Sequence, residues 1–123
     1  MRYYLDTNIL VFLQKGDVDE LSEDVRSIID DRSNLLYTSS VCVHEFIQLC
    51  QIGKINEGKR NKFDPKDVFS YLDRYSIDIV YTNRKHLETM AGMPALHSDP
   101  YDRLIIAQSI SDKMCVISSD RKF

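Results

Sequence analysis

In Tyr3-Tyr4-Leu5-Asp6-Thr7-Asn8-Ile9-Leu10-Val11-Phe12-Leu13, residues 3–13, a short aromatic and apolar run stops at a polar trio and a second apolar run follows. Short continuous apolar runs bounded by turn-formers read as buried strands of a parallel sheet. Asp6-Thr7-Asn8 then supplies N-caps for a helix beginning near Ile9. A strand that hands over directly to a helix marks an α/β chain, and it leaves an acid at the strand's carboxyl end.

The same grammar repeats along the chain. A helix is expected over residues 19–31, where Leu21, Val25, Ile28 and Ile29 form one apolar stripe. Leu35-Leu36-Tyr37-Thr38 reads as a second strand, and Ser39 and Ser40 cap a third helix that Gly53 stops. Residues 53–64 are polar and charged and read as a loop. Asp64-Pro65 opens a fourth helix, and Ile77-Asp78-Ile79-Val80-Tyr81 is a third, β-branched strand. A short helix over 83–93 stops before Pro94. Ser98-Asp99-Pro100 then caps a last helix that reaches Lys113, and Cys115-Val116-Ile117-Ser118 makes a fourth strand. Strands alternating with helices point to an α/β domain around a parallel sheet, taken here as a single domain over residues 1–123.

The 123 residues are enough for one domain with a sizeable core. At 43% hydrophobic and 28% charged, disorder is not expected. No apolar run approaches the roughly 20 residues of a membrane span. The N-terminus lacks a signal-peptide-like apolar stretch, so a cytoplasmic location is expected. Cys42, Cys50 and Cys115 have no C-x-x-C spacing and read as reduced core thiols. A net charge of −3 does not advertise a nucleic-acid binder, though a local basic patch can act despite an acidic mean.

The positions of the acids are more informative. Asp6 ends the first strand and Asp120 the fourth, and ligands of open α/β sheets bind at the carboxyl ends of strands. Asp99 and Asp102 open the last helix, and Glu45 lies within two turns of the start of the third. Taken singly, Asp6 reads equally well as a helix cap and Glu45 as a surface carboxylate, Asp99 reads better as a cap than as a ligand, Asp102 could be a first-turn acid favoured by the helix dipole, and Asp120 a turn residue. Together, five carboxylates from four segments would share one cleft. Such a cluster repels itself unless a cation sits within it. A hard divalent ion that keeps several waters and activates one of them fits phosphodiester hydrolysis.

These same residues carry a family likeness. Leu5-Asp6-Thr7-Asn8, His44-Glu45-Phe46, the block from His97 to Gln108 (His-Ser-Asp-Pro-Tyr-Asp-Arg-Leu-Ile-Ile-Ala-Gln), and Ser118-Ser119-Asp120-Arg121-Lys122-Phe123 together resemble the PIN domain. The likeness is greatest to the VapC-like ribonuclease toxins of toxin–antitoxin pairs. It implies a three-layer α/β/α sandwich with a central, mostly parallel sheet. Family members usually run on past the last block into an edge strand, whereas this sequence ends at Phe123, which leaves four or five strands. The resemblance also implies dependence on Mg²⁺ or Mn²⁺, endonucleolytic cleavage of RNA, a cognate antitoxin and a homodimer. By motif, Asp6, Glu45 and Asp102 would be the principal metal-site acids, Asp120 the fourth, and Asp99 an accessory. Thr7 and Asn8 would orient Asp6 or a metal-bound water. Arg103 would be structural or touch phosphate. Two other readings stay open: an RNA-maturing nuclease with no antitoxin, and a binding module that cleaves nothing.

Other signals fall away. His44-Glu45 is not the start of a zinc H-E-x-x-H helix, because the fifth position is Gln48. His44, His86 and His97 lack ligand spacing. Lys54, Lys59, Arg60 and Lys62 form a basic cluster that reads either as a solvated loop or as a contact for the RNA backbone or antitoxin. Tyr37, Tyr71 and Tyr75 read as packing aromatics.

Overall fold

In a computed structural model, residues 1–16, 18–55, 63–94 and 99–118 are described. Four strands, β1 (Arg2–Leu5), β2 (Leu35–Ser39), β3 (Ile77–Val80) and β4 (Cys115–Ile117), pair in the order β3-β2-β1-β4. Every pairing is parallel, with Tyr4 opposite Tyr37 on one side and Val116 on the other. Six helices flank this sheet: α1 (Thr7–Lys15), α2 (Glu23–Asp30), α3 (Ser40–Gln51), α4 (Val68–Arg74), α5 (Arg84–Ala91) and α6 (Pro100–Asp112). The expected α/β/α sandwich is therefore present, with four strands among the described residues.

Its layering follows from side-chain alternation. Tyr4 and Leu5 are neighbours on β1, point to opposite faces, and are both fully buried, so both faces of the central strand are covered. On the Tyr4 face lie α5 and α6, which pack on each other. The Tyr4 hydroxyl donates to Asp112 at the end of α6 at 2.5 Å, and His86 Nε2 of α5 meets the same carboxylate at 2.9 Å. The Asn83 backbone N–H donates to His86 Nδ1. His86 therefore carries its proton on Nε2 and donates it to Asp112. Within a mostly aliphatic core, Phe46 of α3 stacks on Tyr71 of α4 at 5.8 Å, and the Tyr71 hydroxyl donates to the Leu10 carbonyl of α1 at 2.7 Å.

Local departures have local causes. The helix expected from residue 19 begins at Glu23, because the Ser22 hydroxyl accepts from the Val25 N–H and caps it there; a 3₁₀ turn, Val18–Glu20, precedes it. Of its apolar stripe Leu21 is buried, whereas Val25, Ile28 and Ile29 are only partly so. Asp64-Pro65 opens a 3₁₀ turn, Pro65–Asp67, before α4. Cys42 and Cys50 are buried free thiols as expected, but Cys115 is exposed at the start of the edge strand β4.

Candidate active site

The strand order places β1 between β2 and β4, two strands reached by chain running in opposite directions across the sheet. Crevices open at the carboxyl ends of strands at such a reversal. Asp6 stands there. Its backbone N–H continues the sheet by donating to the Ile117 carbonyl of β4 at 3.1 Å, and then the chain turns into α1. Asp6 is the N-cap of α1, its Oδ1 accepting from the Ile9 N–H at 3.1 Å. The cap and metal-site roles, alternatives in the sequence, are compatible, because a carboxylate has a second oxygen. Oδ2 accepts a short hydrogen bond from the Ser118 hydroxyl, just past β4.

A cavity of about 180 Å³ opens above this point. Four carboxylates line it: Asp6 from the end of β1, Glu45 from α3, and Asp99 and Asp102 from the start of α6. Thr7 and Asn8 line it too, as do Cys42, Tyr101 and Ile105. Asp6 and Thr7 are each only 6% exposed, whereas Glu45, Asp99 and Asp102 are half-buried. Asp99 caps α6, with its Oδ1 accepting from the Tyr101 N–H at 2.9 Å, and Pro100 occupies the first helical position. Tyr101 meets the exposed His44 ring edge-on at 6.1 Å at the rim.

The sequence grouped Asp6, Glu45, Asp99, Asp102 and Asp120 around one cleft and the resemblance added Thr7 and Asn8; the structure brings all of these but Asp120 to one cavity. Asp120, Lys59, Arg60 and Lys62 lie outside the described residues. Lys54 is exposed beyond the end of α3 and does not line the cavity. The sequence reading passed over Ser118, Cys42 and Tyr101. The first could have been found by asking which hydroxyl follows a strand that pairs with β1.

Whether this cavity suits a metal ion is a question of donor chemistry. The carboxylates, the Thr7 hydroxyl and the Asn8 amide offer oxygen. Cys42 offers no thiolate: burial pushes its thiol up to about 12, and the nearby charges of Asp6 and Glu45 push the same way, against hydrogen bonds from Thr7 and Thr38. An oxygen-rich, thiolate-free lining fits a hard cation. Among the described residues, no three acids, histidines or cysteines close on one point to hold an ion unaided. A Mg²⁺-type ion, which keeps much of its water shell and takes one or two carboxylates directly, is compatible with that spacing.

The PIN domain model matches residues 3–123, nearly the whole chain. The chain belongs to the PIN domain family. PIN domains are generally nucleases, and they generally use divalent metals. Among solved structures, this PIN domain is similar to VapBC2 from Rickettsia felis, bound to a DNA fragment from their promoter. The TM-score is 0.72 at 19% identity, over 100% of this chain and 91% of that one. It is also similar to VapBC-1 from nontypeable Haemophilus influenzae, with a TM-score of 0.67 at 21% identity, over 99% and 89% of the two chains. At such identities the likeness is one of fold. No curated protein matches the chain. No helix among the described residues is long and apolar enough to cross a membrane.

Proposed function

We propose that this PIN domain is a Mg²⁺-dependent endoribonuclease, with Mn²⁺ able to substitute, and the toxin of a toxin–antitoxin pair. One observation carries the nuclease reading: acids from β1, α3 and α6, far apart in sequence, line one cavity at the carboxyl edge of the sheet. Asp6, Glu45 and Asp102 would hold the ion, with Asp120 as the fourth acid and Asp99 accessory. When bound, the ion supplies a water activated at neutral pH and a positive charge facing the phosphoryl oxygen. The chain's own residues do the rest. Ile9 N–H and the Ser118 hydroxyl hold the Asp6 carboxylate from both oxygens, so it meets an incoming ion without reorganising. Thr7 and Asn8 line the same cavity and would orient Asp6 or an ion-bound water.

The antitoxin, homodimer and cytoplasmic parts of this reading rest on the family likeness. Similarity of fold to two VapBC structures supports the antitoxin part. The cytoplasm also suits free thiols at Cys42, Cys50 and Cys115. Lys54, Lys59, Arg60 and Lys62 are the candidate contacts for RNA or antitoxin.

Incubation of total RNA with purified protein tests the core of the proposal. Discrete fragments are expected with Mg²⁺, none with EDTA, and at least a hundredfold less cleavage, roughly, with Asp6→Asn. Cleavage that persists in EDTA, or an Asp6→Asn protein as active as wild type, overturns it. Co-expression of the product of a short reading frame immediately upstream should suppress the cleavage. Undiminished cleavage there would leave a nuclease without that antitoxin.

A further inference from the structure

In the middle of α6, six residues beyond the cavity-lining Asp102, a fully buried glutamine makes directional bonds to two other stretches of the chain. Gln108 Oε1 accepts from the Ser39 hydroxyl at 2.6 Å and from the Thr82 hydroxyl at 2.8 Å. Its Nε2 donates a long bond to the Val80 carbonyl at 3.4 Å. A carbonyl accepts only, so this last contact fixes which way the amide faces. Ser39 is itself fully buried and is the N-cap of α3, its oxygen also accepting from the Val41 N–H. Gln108 is therefore joined to Ser39, the last residue of β2 and the cap of α3, and to the end of β3 and the turn after it.

The position of this clamp relative to the acids is what gives it meaning. Ser39 lies six residues before Glu45, and Gln108 six residues after Asp102. Each of the two residues that touch is thus six positions along the chain from an acid that lines the cavity. α3 and α6 also pack through apolar side chains, but apolar contact is non-directional and tolerates small slides and rotations. A hydrogen bond of 2.6 Å between buried groups does not. A leucine at 108 would fill similar space without burying an amide, so packing alone gives no reason for glutamine there.

We propose that Gln108 is a positioning residue that holds α3 against α6 and thereby fixes the separation of Glu45 and Asp102 across the ion-binding cavity. The inference rests on the metal-site reading above, and it concerns the affinity of the site rather than its chemistry.

Mn²⁺ binding to RNA-free protein, read from the EPR signal of free Mn²⁺ beside a thermal melt of each variant, separates the possibilities. Wild type should bind, and Asp6→Asn should bind far more weakly. Gln108→Leu should lose roughly ten- to a hundredfold in affinity, the range for residues that orient metal ligands. Ser39→Ala, a smaller change that serves if Gln108→Leu does not fold, should weaken binding in the same direction. Tyr71→Phe is the comparison. Tyr71 is almost as buried as Gln108 but lies on α4, which brings no acid to the cavity, and its hydroxyl bonds the Leu10 carbonyl, so the change should lower the melting temperature and leave Mn²⁺ affinity within about twofold. If Gln108→Leu or Ser39→Ala lowers the melting temperature yet binds Mn²⁺ like wild type, the clamp is structural and the inference falls while the metal site stands. If wild type and Asp6→Asn bind alike, the metal-site reading falls and takes this inference with it.

Discussion

The Asp6 carboxylate divides its oxygens, Oδ1 capping α1 and Oδ2 receiving the Ser118 hydroxyl. That division lets mutation separate stability from chemistry. Asparagine caps helices about as well as aspartate, whereas loss of a cap to alanine costs about 1 kcal/mol. Asp6→Asn should therefore melt close to wild type and lose cleavage. Asp6→Ala should lose cleavage and about 1 kcal/mol as well, measured by urea denaturation. Equal destabilisation by both changes would mean that the cap contributes nothing. The sequence made Asp6, Glu45, Asp99 and Asp102 legible because each stands at a predictable place, a strand end or the first turns of a helix. Gln108 was not legible as a site residue, and Ser118 becomes so only once β4 is known to pair with β1. Their partners lie 26 to 112 residues away, and a serine or glutamine with no periodic signal does not by itself name its partner.

At the scale of elements, type was easier to read than boundaries. Every strand was read to within a residue of its observed ends, because three to five β-prone residues between turn-formers leave little room to shift. The start of α2 moved from residue 19 to Glu23, because Ser22 and Asp19 are both capping types and only the bond to the Val25 N–H decides between them. Cys115 opens an apolar strand, yet at a sheet edge its first residue faces outward, which local sequence does not reveal. Tyr71 was read as packing, and its ring does pack on Phe46, but its hydroxyl also ties α4 to the Leu10 carbonyl in α1. Tyr71→Phe keeps the ring and removes that bond. The expected cost is about 1 kcal/mol, or a few degrees in Tm for a domain of this size. Cleavage at 25 °C should stay at the wild-type rate, since the lost bond meets α1 at Leu10, beyond the Thr7 and Asn8 that line the cavity. A large drop in cleavage by a stably folded Tyr71→Phe protein would show that α4 reaches the site through α1.

Across the whole molecule, the order β3-β2-β1-β4 explains why so much of the site could be read from one strand. Once β1 is central and parallel, the residue after it stands where the sheet's crevice opens. The same burial that builds this sheet predicts its response to alkali. Cys42 is pushed up to about 12 and Cys50 to about 11, chiefly by burial. Tyr4 and Tyr71 are raised above the ordinary tyrosine value for the same first reason. All four hold their protons in the folded chain at pH values where the unfolded chain releases them. Below about pH 8 both states are protonated at these groups and their effect is flat. As pH rises through the unfolded thiol range, the native state binds more protons than the unfolded one. Stability must then fall, by up to about 1.4 kcal/mol per pH unit for each such group. The fall from the thiols ends only above their folded values. Urea midpoints measured in EDTA at pH 7.5, 9.5 and 10.5 should decline, and the decline should be shallower in Cys42→Ala, whatever that substitution costs at pH 7.5. An identical slope in the two proteins would show that the Cys42 thiol ionises as readily in the fold as out of it. The acid cavity beside Cys42 would then be far wetter than its 6% exposed Asp6 implies.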